Sequence, residues 1–217
     1  MSGNVSENNR PTPIFNLRSE PSNPLNAQLY IFDDISNTLP EEYREYAGSR
    51  EDLISLFNGT YDSLCRGEIG EGYIKDRVSA SNIMIGYCIE GETENNGNNN
   101  YYTTIKPLGL LLGRYTESNN IIIDLICTDQ EYKGVGKQLI SIIKEIAAAK
   151  GISSLQLSSV KPAKSFYTKY NFSNNGARNE TTGLTPMKYN MSKYTKKGGR
   201  RRTTKPKKRP SKTRHRK

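Results

Sequence analysis

Histidine is nearly missing from this chain: the single one, His215, stands inside a basic run that closes the sequence. Residues 1–192 therefore hold no imidazole, which excludes from that region Ser-His-Asp hydrolysis, His-dependent cysteine proteolysis and a His-ligated zinc site. Cysteine is scarce too. Cys65, Cys88 and Cys127 are far apart and odd in number, so the sequence offers neither a disulfide framework nor a CxxC metal knuckle; reduced thiols and no metal are expected. No apolar run approaches the ~20 residues of a spanning helix. The opening MSGNVSENNRPTPIF also lacks the basic-then-apolar order of a signal peptide. A soluble, intracellular protein without a membrane partner is the expectation. Any chemistry falls to Tyr, Asp, Glu, Ser, Cys, Lys or backbone groups.

Acidic residues vanish from the last stretch. Residues 193–217 carry 14 of the 32 Lys and Arg and no Asp or Glu, leaving 18 bases against 22 acids in residues 1–192. The formal charge of +10 thus belongs to the tail. Three segments are expected: a disordered, Asn-, Ser- and Pro-rich lead over 1–26, a folded domain over 27–192, and a disordered basic tail over 193–217.

Within the domain, LYIF (29–32) reads as a strand and SREDLISLFNG as a helix with Ser49 as N-cap, Asp52 three residues on and Gly59 at its end. Residues 61–81 give no clear pattern. IMIGYCIE (83–90), LGLLLGRYT (108–116) and IIIDLICT (121–128) read as a meander of antiparallel strands. The Asn-rich connector 91–107 reads as an exposed loop. KQLISIIKEIAAAK (137–150) places Leu139, Ile142, Ile143, Ile146 and Ala147 on one helical face, ending before Gly151. SLQLSSV (154–160) reads as a strand, PAKSFYTKYNF as a short helix from Pro162 closed by Asn171, and LTPMKYNMS (184–192) as a last strand. The order implies a mixed α/β (α+β) domain whose mainly antiparallel sheet continues through a crossover helix.

The stretch DQEYKGVGKQLI (129–140) bares the backbone at Gly134 and Gly136 just ahead of a helix. Such a turn presents free N–H groups and the positive end of a helix dipole, which suits a phosphate. It is not a Walker loop, because Gln138 follows Lys137 and Glu131 stands at the earlier glycine position. It is not the dinucleotide GxGxxG either, since Leu139 occupies the third glycine position.

IIIDLICTDQEYKGVGKQLI, followed about 30 residues later by AKSFYTKYNF, resembles the GNAT superfamily of acetyl-CoA-dependent N-acetyltransferases. The first stretch is similar to the family's Q/R-x-x-G-x-G/A at a helix start, over Glu131 to Gly136; the second is similar to its A-x-x-F-Y-x-x-x-G-F, over Ala163 to Phe172. The resemblance implies a sheet of six to seven strands flanked by about four helices, acetyl-CoA as co-substrate and a primary amine as acceptor. It assigns cofactor binding to Ile126, Cys127, Thr128, Lys133, Gly134, Val135, Gly136, Lys137 and Phe166, and the protonation of the departing thiolate to Tyr167. Asp124, alone in an apolar strand, is the corresponding candidate general base through water; its other reading is a structural acid bonded to a neighbouring strand. Simple alternation puts Ile122, Asp124 and Ile126 on one face and Ile123, Leu125 and Cys127 on the other.

Two positions depart from the family pattern. Glu131 places a carboxylate near the expected pyrophosphate, with Lys133 and Lys137 to offset it, and Asn171 stands for a glycine. The acids Glu41, Glu42, Glu45, Glu51 and Asp52 suggest a cationic acceptor or, more simply, a solvated helix face. The tail lacks aromatics for base stacking beyond Tyr194, so non-specific, salt-sensitive nucleic-acid binding through 193–217 is expected. Its KPKKRP is similar to a nuclear import signal, and such tails resemble those of many proteins of large DNA viruses, which makes the nucleus or a virion the matching location. The rival function is a non-catalytic, nucleic-acid-associated protein with a GNAT-like core; Glu131 favours it, whereas Tyr167, Gly134 and Gly136 favour the enzyme.

Overall fold

The computed structural model describes residues 17–18, 24–25, 27–34, 39–57, 64–65, 69–95 and 101–194. Two short strands, β1 (Leu17–Arg18) and β2 (Pro24–Leu25), pair with each other within the stretch expected as a disordered lead; most of that lead lies outside the described residues, as does the basic tail beyond Tyr194. The domain is built on a seven-stranded sheet of order β3-β4-β5-β6-β7-β9-β8. Its strands are β3 (Ala27–Asp33), β4 (Ile83–Asn95), β5 (Tyr101–Thr116), β6 (Asn120–Thr128), β7 (Ser154–Ser159), β8 (Ser173–Asn174) and β9 (Thr185–Asn190). All adjacent pairs are antiparallel except β6 and β7, which are parallel and joined through a crossover helix. This is the expected mixed α/β fold with a mostly antiparallel sheet.

Among the described residues the sheet is flanked by the α-helices α1 (Arg50–Phe57), α2 (Glu71–Ala80), α3 (Val135–Ala149) and α4 (Lys164–Lys169). The α3 stripe of Val135, Leu139, Ile142, Ile143, Ile146 and Ala147 recurs at helical spacing and packs with Ile85, Leu111, Ile121 and Ile123 on one face of the sheet. On the other face Leu53 and Phe57 of α1 and Ile74 and Val78 of α2 cover Met84, Leu110, Leu112 and Leu125. The cap of α1 is as expected: Ser49 Oγ accepts from Asp52 N–H at 3.0 Å and Asp52 Oδ2 accepts from Ser49 N–H at 3.2 Å. Gly59 lies outside the described residues. Beyond the C-terminal end of α3, Lys150 Nζ meets Asp33 Oδ2 at 2.9 Å, with side chains 6% and 0% exposed, and Tyr115 Oη donates to the same carboxylate. That buried trio ties the helix end to β3 and β5.

Three expectations need correction. The connector 91–107 is largely strand, because Tyr101, Tyr102 and Thr103 pair with Asn95, Glu94 and Thr93 in a long β4–β5 hairpin. Aromatic and β-branched side chains suit a pleated ladder, and the Asn-rich composition hid them. The cysteines are not all reduced: Cys65 and Cys127 are joined in a disulfide, while Cys88 is a buried thiol outside it. Simple alternation in β6 also fails. Ile121 and Ile123 pack on the α3 face, but Leu125 and Cys127 pack on the α1/α2 face. The register shows the cause, since Gly113 pairs with Ile123 and Leu112 with Leu125, leaving Asp124 as an extra residue in a β-bulge.

Candidate functional site

The bulge at Asp124 has a second effect. β6 stays paired to β5 as far as Thr128, and β7 stays paired to β9 as far as Ser159, but the parallel β6–β7 ladder ends at Ile123 and Leu157. Beyond that pair the sheet parts, and a cleft of about 660 Å³ opens between the two strands. One wall is β6 from Ile123 to Thr128, the other is Leu157 to Val160 with Ala163, Phe166, Tyr167 and Tyr170, and the mouth is the 129–134 turn with the start of α3. Among the described residues no strand pairs with β6 on its β7 side past Ile123. Its main-chain groups there face the cleft unpaired by the sheet, which suits an extended ligand that adds to a strand edge.

At the mouth, Gly134 caps α3 with φ +102°, a left-handed conformation that an L side chain enters at a cost. A β-carbon built there meets nothing within 4 Å, so this backbone stands open to the cleft. Gly136 serves differently: a β-carbon would come within 3.1 Å of Phe166 Cζ, so its bareness lets α4 lie against the first turn of α3. The N–H groups of that turn lack helical acceptors and face an anion-friendly dipole. Lys133 and Lys137 border the same mouth and are exposed.

The departure at Glu131 is partly offset within the fold. Its side chain is 76% exposed, and Oε2 accepts from Lys106 Nζ at 3.0 Å. Lys106 also meets Asp129 Oδ2 at 3.4 Å and sits 4.8 Å from the Tyr132 ring centroid. The hydrogen bond to Glu131 is the main cause holding the Lys106 ammonium above its ordinary value, so Lys106 stays charged. One ammonium between two carboxylates offsets half of their formal charge.

Tyr167 stands on α4 with its ring edge-on to Phe166 (5.1 Å) and Phe172 (5.8 Å). Burial pushes its phenol up to about 12, so the group keeps its proton at neutral pH. Asn171, at φ +65°, takes the left-handed position that ends the helix, as its sequence position implied. Lys144 of α3 donates to Tyr170 O at 2.7 Å with its ammonium 3.7 Å from the Tyr189 ring centroid, which fixes the end of α4.

Most residues expected at the site come together here. Asp124, Ile126, Cys127, Thr128, Lys133, Gly134, Gly136, Lys137, Phe166 and Tyr167 all line the cleft. Val135 does not: its side chain is fully buried in the core beneath α3, so only its main chain is available. The sequence reading missed the second wall from Leu157 to Val160 and the contribution of Leu64, Cys65 and Ile69. It also missed Arg114 and Arg77, which meet Asp124. Arg114 Nε and Nη2 donate to Asp124 Oδ2 and Oδ1 at 2.8 and 3.1 Å, and Arg77 Nη1 lies 3.8 Å from Oδ1. The carboxylate side chain is 7% exposed. A lone acid in an apolar strand is itself a signal that a buried cation faces it.

Residues 90–193 match the model of the acetyltransferase (GNAT) domain family. A comparison with curated proteins finds no significant match. Among solved structures, a Lactobacillus plantarum protein assigned to the N-acetyltransferases superposes with a TM-score of 0.50 over 76% of this chain and 98% of its own, at 13% identity. That likeness is one of fold, and it makes the fold GNAT-like. IAA acetyltransferase from Bacillus cereus gives a TM-score of 0.47 at 12% identity, covering 76% of this chain and 99% of its own. PaiA N-acetyltransferase from Thermoplasma acidophilum, in complex with coenzyme A, gives 0.43 at 17% identity, covering 75% and 99%.

Proposed function

We propose that the chain is an N-acetyltransferase that moves an acetyl group from acetyl-CoA to a primary amine in a ternary complex. The observation that carries this reading is the parting of β6 from β7 at Asp124, which opens an unpaired strand edge leading to the bare helix start at Gly134. The domain match over residues 90–193 supports it. Acetyl-CoA supplies an acetyl thioester, already activated toward amines.

The residues present fit such a ligand. Main-chain groups of Ile126, Cys127 and Thr128 offer a strand edge to an extended arm. The turn from Lys133 to Lys137 offers N–H groups and two ammonium groups to a pyrophosphate, with each charged hydrogen bond worth about 1.5–3 kcal/mol. Phe166 closes the wall beside Gly136. During transfer the amine nitrogen bonds the carbonyl carbon, the C–S bond breaks, and one of the two amine protons passes to solvent while the other stays on the amide nitrogen. Tyr167 gives its proton to the leaving sulfur and regains one from solvent. A phenol kept neutral by burial is suited to that donation.

Asp124 is read here as the anchor of two guanidinium groups, because both of its oxygens already accept from Arg114. If it served instead as base through water, Asp124→Asn would change the shape of the pH–rate profile; as an anchor it would not. The function itself is tested by incubating the protein with acetyl-CoA and a panel of primary amines and following release of the free CoA thiol. Amine-dependent release is expected, and its absence across the panel together with no acetyl-CoA binding would overturn the reading.

A further inference from the structure

The acids that suggested a cationic acceptor do not reach the cleft: none of Glu41, Glu42, Glu45, Glu51 and Asp52 lines it. The charge beside Asp124 is of the opposite sign. Asp124 lines the cleft, and the two groups that meet it, Arg114 from β5 and Arg77 from α2, stand just outside that lining. One carboxylate between two guanidiniums leaves a formal surplus of one positive charge.

The donors are only partly used. Two guanidinium groups carry ten N–H bonds. Arg114 spends two on Asp124, and Arg77 makes an ion pair at 3.8 Å without a hydrogen bond of normal length. Arg77 Nε is buried and has no hydrogen-bond partner among the described residues. An unmet buried donor costs about 1–3 kcal/mol, and such a group calls for an explanation. Arg77 is held for use by its stacking on Tyr73, 4.9 Å from ring centroid to Cζ, and Tyr73 is itself 44% exposed. The Arg77 and Arg114 side chains are 32% and 38% exposed, so both are open to a solute.

We infer that Arg77 and Arg114, braced by Asp124, bind an anionic group on the acceptor, so that the substrate class is amines bearing a carboxylate. The inference rests on the proposed acetyl transfer for the word acceptor, but the anion site itself does not need catalysis to be seen. A planar guanidinium pairs with a carboxylate through two parallel N–H···O bonds, which sets orientation as well as affinity. Holding the carboxylate at the Arg77 and Arg114 end presents the amine of the same molecule to the cleft at Asp124, where β6 and β7 part. The surplus charge also disfavours polyamines and other purely cationic acceptors at that end.

The test compares matched ligands on the full chain by calorimetric titration at physiological salt: β-alanine, 4-aminobutyrate and 6-aminohexanoate against propylamine, butylamine and hexylamine. The wild-type protein is expected to bind the carboxylate member of at least one pair about tenfold more tightly. Arg77→Met is expected to erase that preference, and Arg77→Lys, which keeps the charge and the helix, to retain only part of it. Equal binding within every pair, or a preference that persists in Arg77→Met, overturns the inference. Coenzyme A titrated into the same samples reads the cofactor proposal separately, so failure of one is distinguishable from failure of the other.

Discussion

Tyr167 carries the most specific chemistry assigned to any one residue here, and three effects at single positions can be checked. Tyr167→Phe keeps the ring contacts with Phe166 and Phe172 and removes only the proton donor. We expect turnover to fall by about 10²-fold, the lower range for a general acid, with acetyl-CoA affinity unchanged; unchanged turnover would remove the residue from the mechanism. The pH dependence has a defined sign. An acid must be protonated to act, and burial moves this phenol from 10.0 to about 12. Turnover should therefore hold through pH 10, whereas a phenol at its ordinary value would already have lost half its activity there. Glu131→Gln breaks an exposed ion pair with Lys106, worth about 0–1 kcal/mol, so acetyl-CoA affinity should change less than about fivefold. A larger gain in affinity would mean that the carboxylate does oppose the ligand. Gly134 and Gly136 were legible because a bare turn ahead of a helix is a local pattern, and Tyr167 was singled out by the resemblance of AKSFYTKYNF alone. Arg77 and Arg114 were not legible, since they stand 37 positions apart with a separate element between them and only the bulge in β6 turns Asp124 toward both.

At the level of elements, the β6 bulge decides what the site is. It reverses the facing of Leu125 and Cys127, ends the β6–β7 ladder and aims Asp124 at the α2 side. A period-two pattern cannot reveal an inserted residue, because every position beyond it simply continues the alternation on the opposite face. The disulfide was hidden for the same reason. Cys127 reaches Cys65 only because the bulge turns it to the α1/α2 face, and a separation of 62 residues carries no mark in the sequence. Closing a loop of that length removes unfolded-state entropy worth on the order of 4 kcal/mol. Reduction should therefore lower the melting temperature measurably, with Cys65→Ser reproducing the loss; no difference between oxidised and reduced protein would contradict the bridge. Cys65 and Cys127 both line the cleft and are bridged, so Cys127 contributes to the site through its main chain and as a fixed wall, not as a thiol. The long helix α3 was readable from its apolar stripe alone. Its far-end anchor was not, since Lys150 and Asp33 are ordinary surface residue types whose side chains are here almost completely buried. Lys150→Met leaves Asp33 buried without its cation, which costs about 3–5 kcal/mol when a buried pair is broken; chemical denaturation checks that figure.

For the molecule as a whole, most elements were legible along the chain from hydrophobic period and turn residues, whereas the placing of β9 between β7 and β8 was not. Besides β1, β2 and the outer part of the β4–β5 hairpin, the elements missed include the helix over 71–80, where Ile74 and Val78 are the buried residues among the described side chains, and β8 with two residues. The last two are too sparsely apolar to register. The sheet is what turns these parts into a site: it is continuous except where β6 and β7 separate, and the glycine turn, Tyr167 and Asp124 all meet at that opening. The central claim is that this opening receives acetyl-CoA. Thermal melting of the full chain with and without acetyl-CoA tests it most directly. At about 100 times the dissociation constant the ligand should add about 2.7 kcal/mol, a rise of roughly 5–10 °C for a chain of this size, and Gly134→Asp should abolish the rise by filling and charging the turn. An unchanged melting temperature across the whole concentration range would contradict the claim.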